Sequence, residues 1–240
     1  MSPEARFHST IVALVVPIMY FSLRALLPHL PDKGATMTAG QATLALLASL
    51  GVYRLLTHLF MALFRHLLLV KRWVLGPAYM EGTWVGYFIG SSGNIGYLVE
   101  TIEQDLSNLV LKGASYSEGG ILHARWETNS ATIDAVKGTL TYSHICDVIG
   151  VAVPHQGIGV FDLRRTSAKA AAYEMEGYSA DLTHGRRAQS FEKKISGKGL
   201  AKAEALPEAL RFAADHLPAA SMPKKVEEIV SGAEAQIHAV

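Results

Sequence analysis

The sequence predicts a membrane α-helical hairpin followed by an all-β domain that closes as an eight-stranded antiparallel β-barrel. The chain has 240 residues, half of them hydrophobic, and the apolar excess lies before Trp73. From Tyr79 onward the apolar residues change from a helical period to alternation, which indicates strands. Short strands joined by turn residues at near-regular spacing are typical of a sandwich or an up-and-down barrel.

Composition narrows the classes of function. The formal net charge is +1, so no global electrostatic attraction favours a DNA or RNA polymer as partner. The single cysteine, Cys146, excludes an intramolecular disulfide framework and fits a reducing compartment. We predict two transmembrane helices within residues 7–72, a ligand-binding β-barrel over 79–197 and a helical extension over 200–240.

Two apolar runs, Ile11–Leu30 and Ala42–Val70, predict the membrane helices. Each exceeds or matches the roughly 20 residues that a membrane span requires. The link Pro31–Thr36 is so short that the helices must form a hairpin. The alternative for the first run is a cleaved signal peptide. Glu4 before the run, and Arg24 where a small-residue cleavage site should lie, favour a retained anchor.

The distribution of basic residues predicts the orientation of this hairpin. Arg65, Lys71 and Arg72 close the second helix, and Arg6 precedes the first, whereas the link carries only Lys33. The positive-inside rule then places both termini in the cytoplasm. We therefore expect a multi-pass membrane protein with a cytoplasmic soluble domain.

A polar seam is predicted on one face of the second helix, where Gly51, Arg54, His58, Met61 and Arg65 recur at three- and four-residue steps. Ionisable groups inside a membrane usually face protein or water, and a small residue such as Gly51 favours a helix contact. The seam of Arg54 and His58 thus predicts assembly with other copies or the lining of a pathway through the membrane. Alternatively, Arg54 snorkels to the interface or the membrane boundary lies further out.

Segments rich in β-branched and aromatic residues predict eight strands: Tyr79–Ile89, Ile95–Leu106, Asn108–Tyr116, Ile121–Thr128, Ile133–Ile145, Ile158–Arg165, Ala172–Leu182 and Arg187–Ile195. A turn is expected at residues 128–130, and the long connection Asp147–Gly157 is either a lid or a plain loop. Two short helices, Pro207–Leu217 and Pro223–Ile237, are expected next, each opened by a proline near its first turn. Closure removes the sheet edges, and eight strands enclose room for side chains or one small ligand.

The most distinctive motif is Gly82-x-Trp84-x-Gly86 on the first strand. Its glycines permit strong coiling while the Trp84 ring plugs one end of the barrel. Alternatively, Trp84 is a stacking surface for a base. The motif resembles the first strand of lipocalin-type barrels, so the predicted barrel is lipocalin-like.

Two membrane helices, a short basic junction and a barrel led by Gly82-Trp84-Gly86, with the strand Glu176-Gly177-Tyr178, resemble a known family. They are similar to the two-transmembrane, β-strand-rich effectors of bacterial cyclic-oligonucleotide anti-phage signalling (CBASS; the SMODS-associating type). The resemblance covers roughly Phe7 to Ile195. It implies a bacterial inner-membrane receptor that binds a cyclic dinucleotide in its barrel, forms homo-oligomers and disrupts membrane lipids to abort phage infection. The helices after Gly199 are not part of this pattern.

A cyclic dinucleotide needs guanidinium groups for its phosphates and aromatic platforms for its bases. The candidate ligand-binding residues are Trp84, Tyr87, Tyr97, Arg125, Trp126, Tyr142, Arg165, Tyr178 and Arg187. Neighbouring arginines such as Arg164 and Arg165 point to opposite faces of a strand, so at most one of a pair looks inward.

Two other functions remain open at this point. One is a membrane-tethered lipocalin-like carrier of a lipid or other apolar ligand, and the other is an anchor whose filled barrel binds only protein. The lining of the cavity discriminates among them. Inward arginines or hydroxyls together with aromatics favour a nucleotide, whereas an apolar lining favours a lipid.

No catalytic constellation is evident. The chain has no nucleophile-elbow serine, no phosphate-binding glycine loop before a helix and no metalloprotease motif. His144 and Cys146 share a face of a strand beside Asp147, but they supply too few ligands for a closed metal site. We expect no enzymatic activity, no metal and no cofactor.

Overall fold

The computed structural model describes residues 2–26, 39–183 and 185–217. The chain divides into two units, Met1–Gly76 and Pro77–Val240. In the described residues the first unit is helical, whereas the second contains a closed antiparallel barrel and one helix. The predicted fold class, two N-terminal apolar helices and an eight-stranded barrel, is confirmed.

The described residues of the first unit contain three α-helices: α1 (Pro3–Leu26), α2 (Ala39–His66) and α3 (Leu68–Leu75). The stretches Pro3–Ala25 and Leu46–His66 are long and apolar enough to cross a membrane. The predicted single second helix over Ala42–Val70 is wrong at its end. The chain becomes extended at Leu67 (φ −107°, ψ 107°), so Lys71 and Arg72 belong to the separate helix α3. The predicted link Pro31–Thr36 lies outside the described residues.

Arg6 ties the beginning of α1 to the end of α3. Its Nη1 donates to the backbone carbonyls of Trp73 at 2.9 Å and of Val74 at 3.2 Å. The neighbouring Phe7 ring packs 5.3 Å from the ring of Phe60 on α2. The carbonyls at a helix C-terminus have no intrahelical partner, so the guanidinium both satisfies them and complements the helix dipole.

The eight strands run as an up-and-down meander in which β8 returns to pair with β1. They are β1 (Gly82–Ile89), β2 (Ile95–Gln104), β3 (Leu109–Tyr116), β4 (Leu122–Asp134), β5 (Thr139–Val148), β6 (His155–Arg165), β7 (Ala172–Asp181) and β8 (Arg187–Ser196). Every neighbouring pair is antiparallel, which closes the sheet with no free edge.

Two predicted boundaries are wrong. The turn expected at residues 128–130 is a β-bulge within β4, and the chain turns instead after Asp134. There the Asp134 carboxylate accepts the backbone N–H groups of Val136 and Lys137, and Gly138 adopts φ +77°. The residues Thr-Asn-Ser suit a bulge as well as a turn, since both interrupt the ladder. The long connection shrinks to residues 149–154, because β5 and β6 extend into it.

The end of the barrel where β1 begins is filled by side chains. Trp84 is fully buried there, and its Nε1 donates to the carbonyl of Met80 at 2.8 Å. The surrounding core consists of Met80, Ile102, Leu111, Leu140, Phe161, Leu163, Ala172 and Met175. The predicted role of Trp84 as a plug therefore matches its packing.

The second glycine of the motif, Gly86, lies where the first and last strands approach each other closely. A Cβ at this position would lie 2.0 Å from the backbone carbonyl oxygen of Phe191 on β8. No side chain fits at that distance, so the absence of one permits β8 to approach β1 and close the barrel.

A helix, α4 (Lys202–His216), covers part of the outer surface of the barrel. A second core joins Val85, Tyr87, Tyr97 and Tyr116 of the strands to Ala205, Leu206, Ala209, Phe212 and Ala213 of the helix. The predicted start at Pro207 is wrong, because the helix begins at Lys202 and Pro207 lies inside it. The predicted helix Pro223–Ile237 lies outside the described residues.

Candidate ligand-binding site

A cavity of about 210 Å³ lies inside the barrel, beyond the Trp84 plug. Aromatic rings (Phe88, Trp126, Tyr142) and hydroxyl groups (Ser115, Ser179, Ser190) contribute to its lining. It opens at the end of the barrel where β1 turns into β2 and β7 turns into β8, and this opening is called the mouth. The size suits part of a small molecule, in agreement with an eight-stranded barrel.

Two aromatic rings lie against the barrel wall, each over a glycine of a neighbouring strand. A Cβ at Gly113 would come within 2.1 Å of the Trp126 ring, and one at Gly159 within 2.5 Å of the Tyr142 ring. The ring of Phe161 stacks on Tyr142 at 5.8 Å with an interplanar angle of 8°. Glycines paired with cross-strand aromatics thus make room for rings inside a narrow barrel.

Two buried carboxyl groups meet in this cavity. Glu100 on β2 and Glu192 on β8 are each 1% exposed, and they hydrogen bond to one another. Burial raises the pKa of both, and the charge of Glu100 adds to the rise at Glu192, whose pKa lies well above its usual value. The Nε1–H of Trp126 donates to Oε1 of Glu100 at 2.9 Å, which favours the charged form of Glu100. The two carboxyl groups therefore titrate as a coupled pair, and the state in which both are ionised is disfavoured.

Burial also shifts the pKa values of three other groups in the cavity, His144, Tyr142 and Cys146, and in each case it disfavours the charged form. Burial lowers the pKa of His144, and its Nδ1 is buried without a protein partner in the part of the chain that the structure describes. Burial, then the charges of Glu100 and Glu192, raise the pKa of Tyr142 well above its usual value. Burial also raises the pKa of the Cys146 thiol, which disfavours the reactive thiolate.

The mouth carries residues of both charges, whereas the deeper cavity contains only acids as charged residues. Arg186, Arg187, His155 and Asp181 line a space of about 340 Å³ that shares Phe88 and His144 with the deeper cavity, so the two are continuous. Among the described residues that line the deeper cavity, none is Lys or Arg. The site thus has Arg186 at its entrance, and aromatic rings and carboxyl groups in its depth, while the Arg187 guanidinium lies over the Tyr178 ring.

Three predicted binding residues lie in this site: Trp126 and Tyr142 in the deeper cavity, and Arg187 at the mouth. Arg187 also covers the ring of Tyr178, with its Cζ 4.7 Å from the ring centroid, on the outer side of the strands. Trp84 lies in the plug. The structure therefore brings together only part of the predicted set.

The other predicted binding residues lie away from the cavity. Tyr87 and Tyr97 pack beneath α4 on the outer surface. Arg125 is exposed on β4, where its neighbour Trp126 takes the inward position. Arg165 donates to the carbonyl of Ala135 at 2.7 Å and so braces the turn between β4 and β5.

The sequence interpretation missed the two acids. The alternation of inward and outward residues along β2 and β8 could have identified them. Leu98, Glu100 and Ile102 alternate with outward residues, so Glu100 takes an inward position between two apolar ones. Ser190 and Glu192 do the same on β8. An acidic residue in phase with core residues indicates a functional site or a buried pair.

The polar residues of the predicted seam are exposed in the described first unit. Gly51, Arg54 and His58 are all exposed on α2, and a Cβ at Gly51 would meet nothing within 4 Å. This face of α2 is therefore not used for packing among the described helices of the first unit. It is open to a further helix.

No protein-family model and no curated protein sequence matches this chain. The function must accordingly be argued from the geometry of the cavity and from the two apolar helices.

Proposed function

We propose that this protein is a membrane-anchored receptor whose barrel binds a cyclic dinucleotide. The observation that carries the proposal is the polarity of one continuous cavity, with Trp126 and Tyr142 inside and Arg186 and Arg187 at the mouth. Aromatic rings stack on nucleobases, and guanidinium groups bind phosphate oxygens. A cyclic dinucleotide contains both kinds of group within one small molecule.

The charges determine which part of such a ligand goes where. Phosphates carry full negative charge, and the deeper cavity contains the buried pair Glu100 and Glu192. Like charges at short distance in a poorly solvated site repel strongly. A base therefore enters the barrel, with hydroxyl groups such as Ser190 as further hydrogen-bond partners, while the phosphates stay beside Arg186 and Arg187.

The helical unit supplies the output. Its two apolar helices cross the bacterial inner membrane, and the basic residues Arg65, Lys71 and Arg72 keep the barrel on the cytoplasmic side. The exposed seam of Arg54 and His58 gives ligand-bound copies a polar face through which to associate. Association of membrane helices through polar faces disrupts the lipid bilayer, and the infected cell dies before phage is released.

A second candidate is a carrier of an uncharged apolar ligand, such as a lipid. It is favoured by the apolar side chains of Phe88, Leu98 and Val148 in the deeper cavity. An alkyl chain, however, would leave Glu100 and Glu192 without a ligand partner, at a cost in free energy. The nucleotide therefore accounts for more of the lining.

The test uses the full-length protein in detergent, with thermal unfolding measured against a panel of cyclic dinucleotides and against fatty acids. A ligand at one hundred times its Kd stabilises a folded protein by about 2.7 kcal/mol, which is readily measured. We expect stabilisation by at least one cyclic dinucleotide. The double variant Arg186→Ala/Arg187→Ala should lose at least about tenfold in affinity, because charge-assisted contacts to phosphate contribute roughly 1.5–3 kcal/mol.

Arg125→Ala is the matched control, since Arg125 is exposed and does not line the cavity. It should bind as the wild type does. Stabilisation by fatty acids alone would refute the receptor function and support the carrier function. The absence of stabilisation by every cyclic dinucleotide would refute the proposal.

A further inference from the structure

The deeper cavity contains more hydrogen-bond acceptors than the protein fills. In the described residues, Oε2 of Glu100, Oε2 of Glu192 and Nδ1 of His144 are buried, and no other protein N–H or hydroxyl group is hydrogen bonded to them. All three side chains line the cavity and are less than one-tenth exposed. The Nε1–H of Trp126 and one proton shared by the pair leave acceptor positions on the two carboxyl groups that a ligand can fill.

The charge of the pair points to the same kind of ligand group. With one proton shared between them, the two carboxyl groups carry one negative charge. No described lining residue of the deeper cavity is Lys or Arg, so the protein places no cation beside that charge within the cavity. Buried charges are stable only when paired or well supplied with hydrogen-bond donors. A planar ligand group rich in N–H donors would therefore complement the pair of Glu100 and Glu192.

Resting on the proposed function, we propose that Glu100 and Glu192 recognise the N–H edge of a guanine base and thereby set the base specificity of the barrel. Guanine presents two adjacent donors, N1–H and N2–H, on its Watson–Crick edge. Adenine and cytosine present one amino group beside an acceptor nitrogen, and uracil presents one N–H between two carbonyls. Only guanine can give two parallel hydrogen bonds to carboxylate oxygens.

Trp126 contributes both to stacking of the base and to the orientation of Glu100. Its ring forms a wall of the cavity on which a base can stack, and its Nε1–H holds Oε1 of Glu100 at 2.9 Å. Stacking on the indole thus places a base edge next to a carboxylate that the same indole has oriented. Ser190, in the adjacent inward position on β8, adds a hydroxyl near Glu192.

The experiment measures binding to the full-length protein in detergent by calorimetry. The probes are cyclic di-GMP and cyclic di-AMP, with guanosine and adenosine as probes that lack phosphate. The wild type should bind each guanine probe about tenfold or more tightly than its adenine counterpart. Glu100→Gln and Glu192→Gln should each weaken guanine binding about tenfold and spare adenine, since glutamine can pair with adenine.

Glu103→Gln is the matched control, because Glu103 lies on β2 close to Glu100 but its side chain is 63% exposed. It should leave both affinities unchanged. Equal binding of guanine and adenine probes by the wild type, or an unchanged preference in both glutamine variants, would overturn the inference. Preferential binding of guanosine without binding of either cyclic dinucleotide would retain the inference and refute these two as ligands of the proposed receptor. Binding of no probe at all would overturn the guanine inference.

Discussion

Glu100 and Glu192 hydrogen bond to one another inside the barrel, although they belong to the two strands that flank opposite edges of β1. Their meeting depends on closure, because only the pairing of β8 with β1 brings the last strand back to the second. Gly86 permits that closure by leaving the approach to the Phe191 carbonyl free. The glycine that permits closure of the barrel therefore also allows the two carboxyl groups to meet in the cavity.

The acid pair makes stability depend on pH. Burial raises the pKa of both carboxyl groups in the folded state, so the folded protein binds more protons than the unfolded chain. The stabilising contribution is complete below the unfolded pKa of about 4.3 and is lost as pH rises through the folded pKa values. We therefore expect the Tm of the wild type to fall as the pH rises above about 4.3 because of this pair.

Glu192→Gln tests this dependence, because the amide keeps a donor beside Glu100 but does not titrate. Its Tm should vary less with pH than that of the wild type over the same range. Glu103→Gln, on the outer face of β2, should retain the wild-type slope. Parallel Tm profiles for the wild type and Glu192→Gln would contradict the raised pKa of Glu192.

The two tryptophans inside the barrel, Trp84 in the plug and Trp126 in the cavity, predict different phenotypes. Trp84→Phe removes the hydrogen bond to the Met80 carbonyl and part of the plug, so we expect a loss of about 2 kcal/mol in the free energy of unfolding. Ligand affinity should be retained once the protein is folded. Trp126→Phe removes the donor to Glu100 and a stacking surface, so affinity should fall about tenfold.

Chemical unfolding and titration calorimetry on both variants make the comparison. A loss of affinity in Trp84→Phe comparable to that in Trp126→Phe would show that the plug is part of the binding surface.

Gly86→Ala should destabilise the barrel by about 3 kcal/mol or more, because its methyl group would overlap the carbonyl of Phe191. Gly119→Ala is the control, since Gly119 is exposed and its nearest neighbour to a new Cβ would be 3.9 Å away. It should change the free energy of unfolding by less than about 0.5 kcal/mol. Equal stability of the two variants, measured by urea unfolding, would show that β8 can shift to accept a side chain.

The sequence predicted the barrel well because its signal is local. Alternation and turn residues identify each strand, and eight strands in series leave closure as the simplest way to pair their edges. The predicted boundary between β4 and β5 was wrong for the same reason, because its signal was also local. Thr128, Asn129 and Ser130 have the composition of a turn, and only the pairing with β5 reveals a bulge there.

The site was predicted less well, because it depends on which way each strand faces. Trp126 and Tyr142 were found by residue type, but Tyr87 and Tyr97 were assigned to the ligand although they pack under α4. That packing could not be anticipated without knowing that a helix covers β1 and β2. Glu100 and Glu192 are far apart in the sequence, so nothing local indicates that they share a proton.

Arg54→Leu should abolish membrane disruption without changing ligand affinity. Arg54 is exposed on the second apolar helix, where the seam offers a polar contact to another copy. Dye release from vesicles of bacterial lipid, containing full-length protein and a stabilising cyclic dinucleotide, measures the effect. Leu55→Ala, at a neighbouring exposed apolar position, should leave release intact. Undiminished release by Arg54→Leu would exclude the seam from assembly.

Truncation after Lys198 removes α4 and should leave the barrel poorly soluble. The helix covers Val85, Tyr87, Tyr97 and Tyr116, and a contiguous apolar patch of this kind on a soluble surface promotes aggregation. Truncation after Leu217 retains the whole of α4 and should behave as the full chain does. Size-exclusion profiles and thermal unfolding of both truncated proteins provide the comparison. A monodisperse, cooperatively unfolding protein that ends at Lys198 would show that the barrel completes its core without the helix.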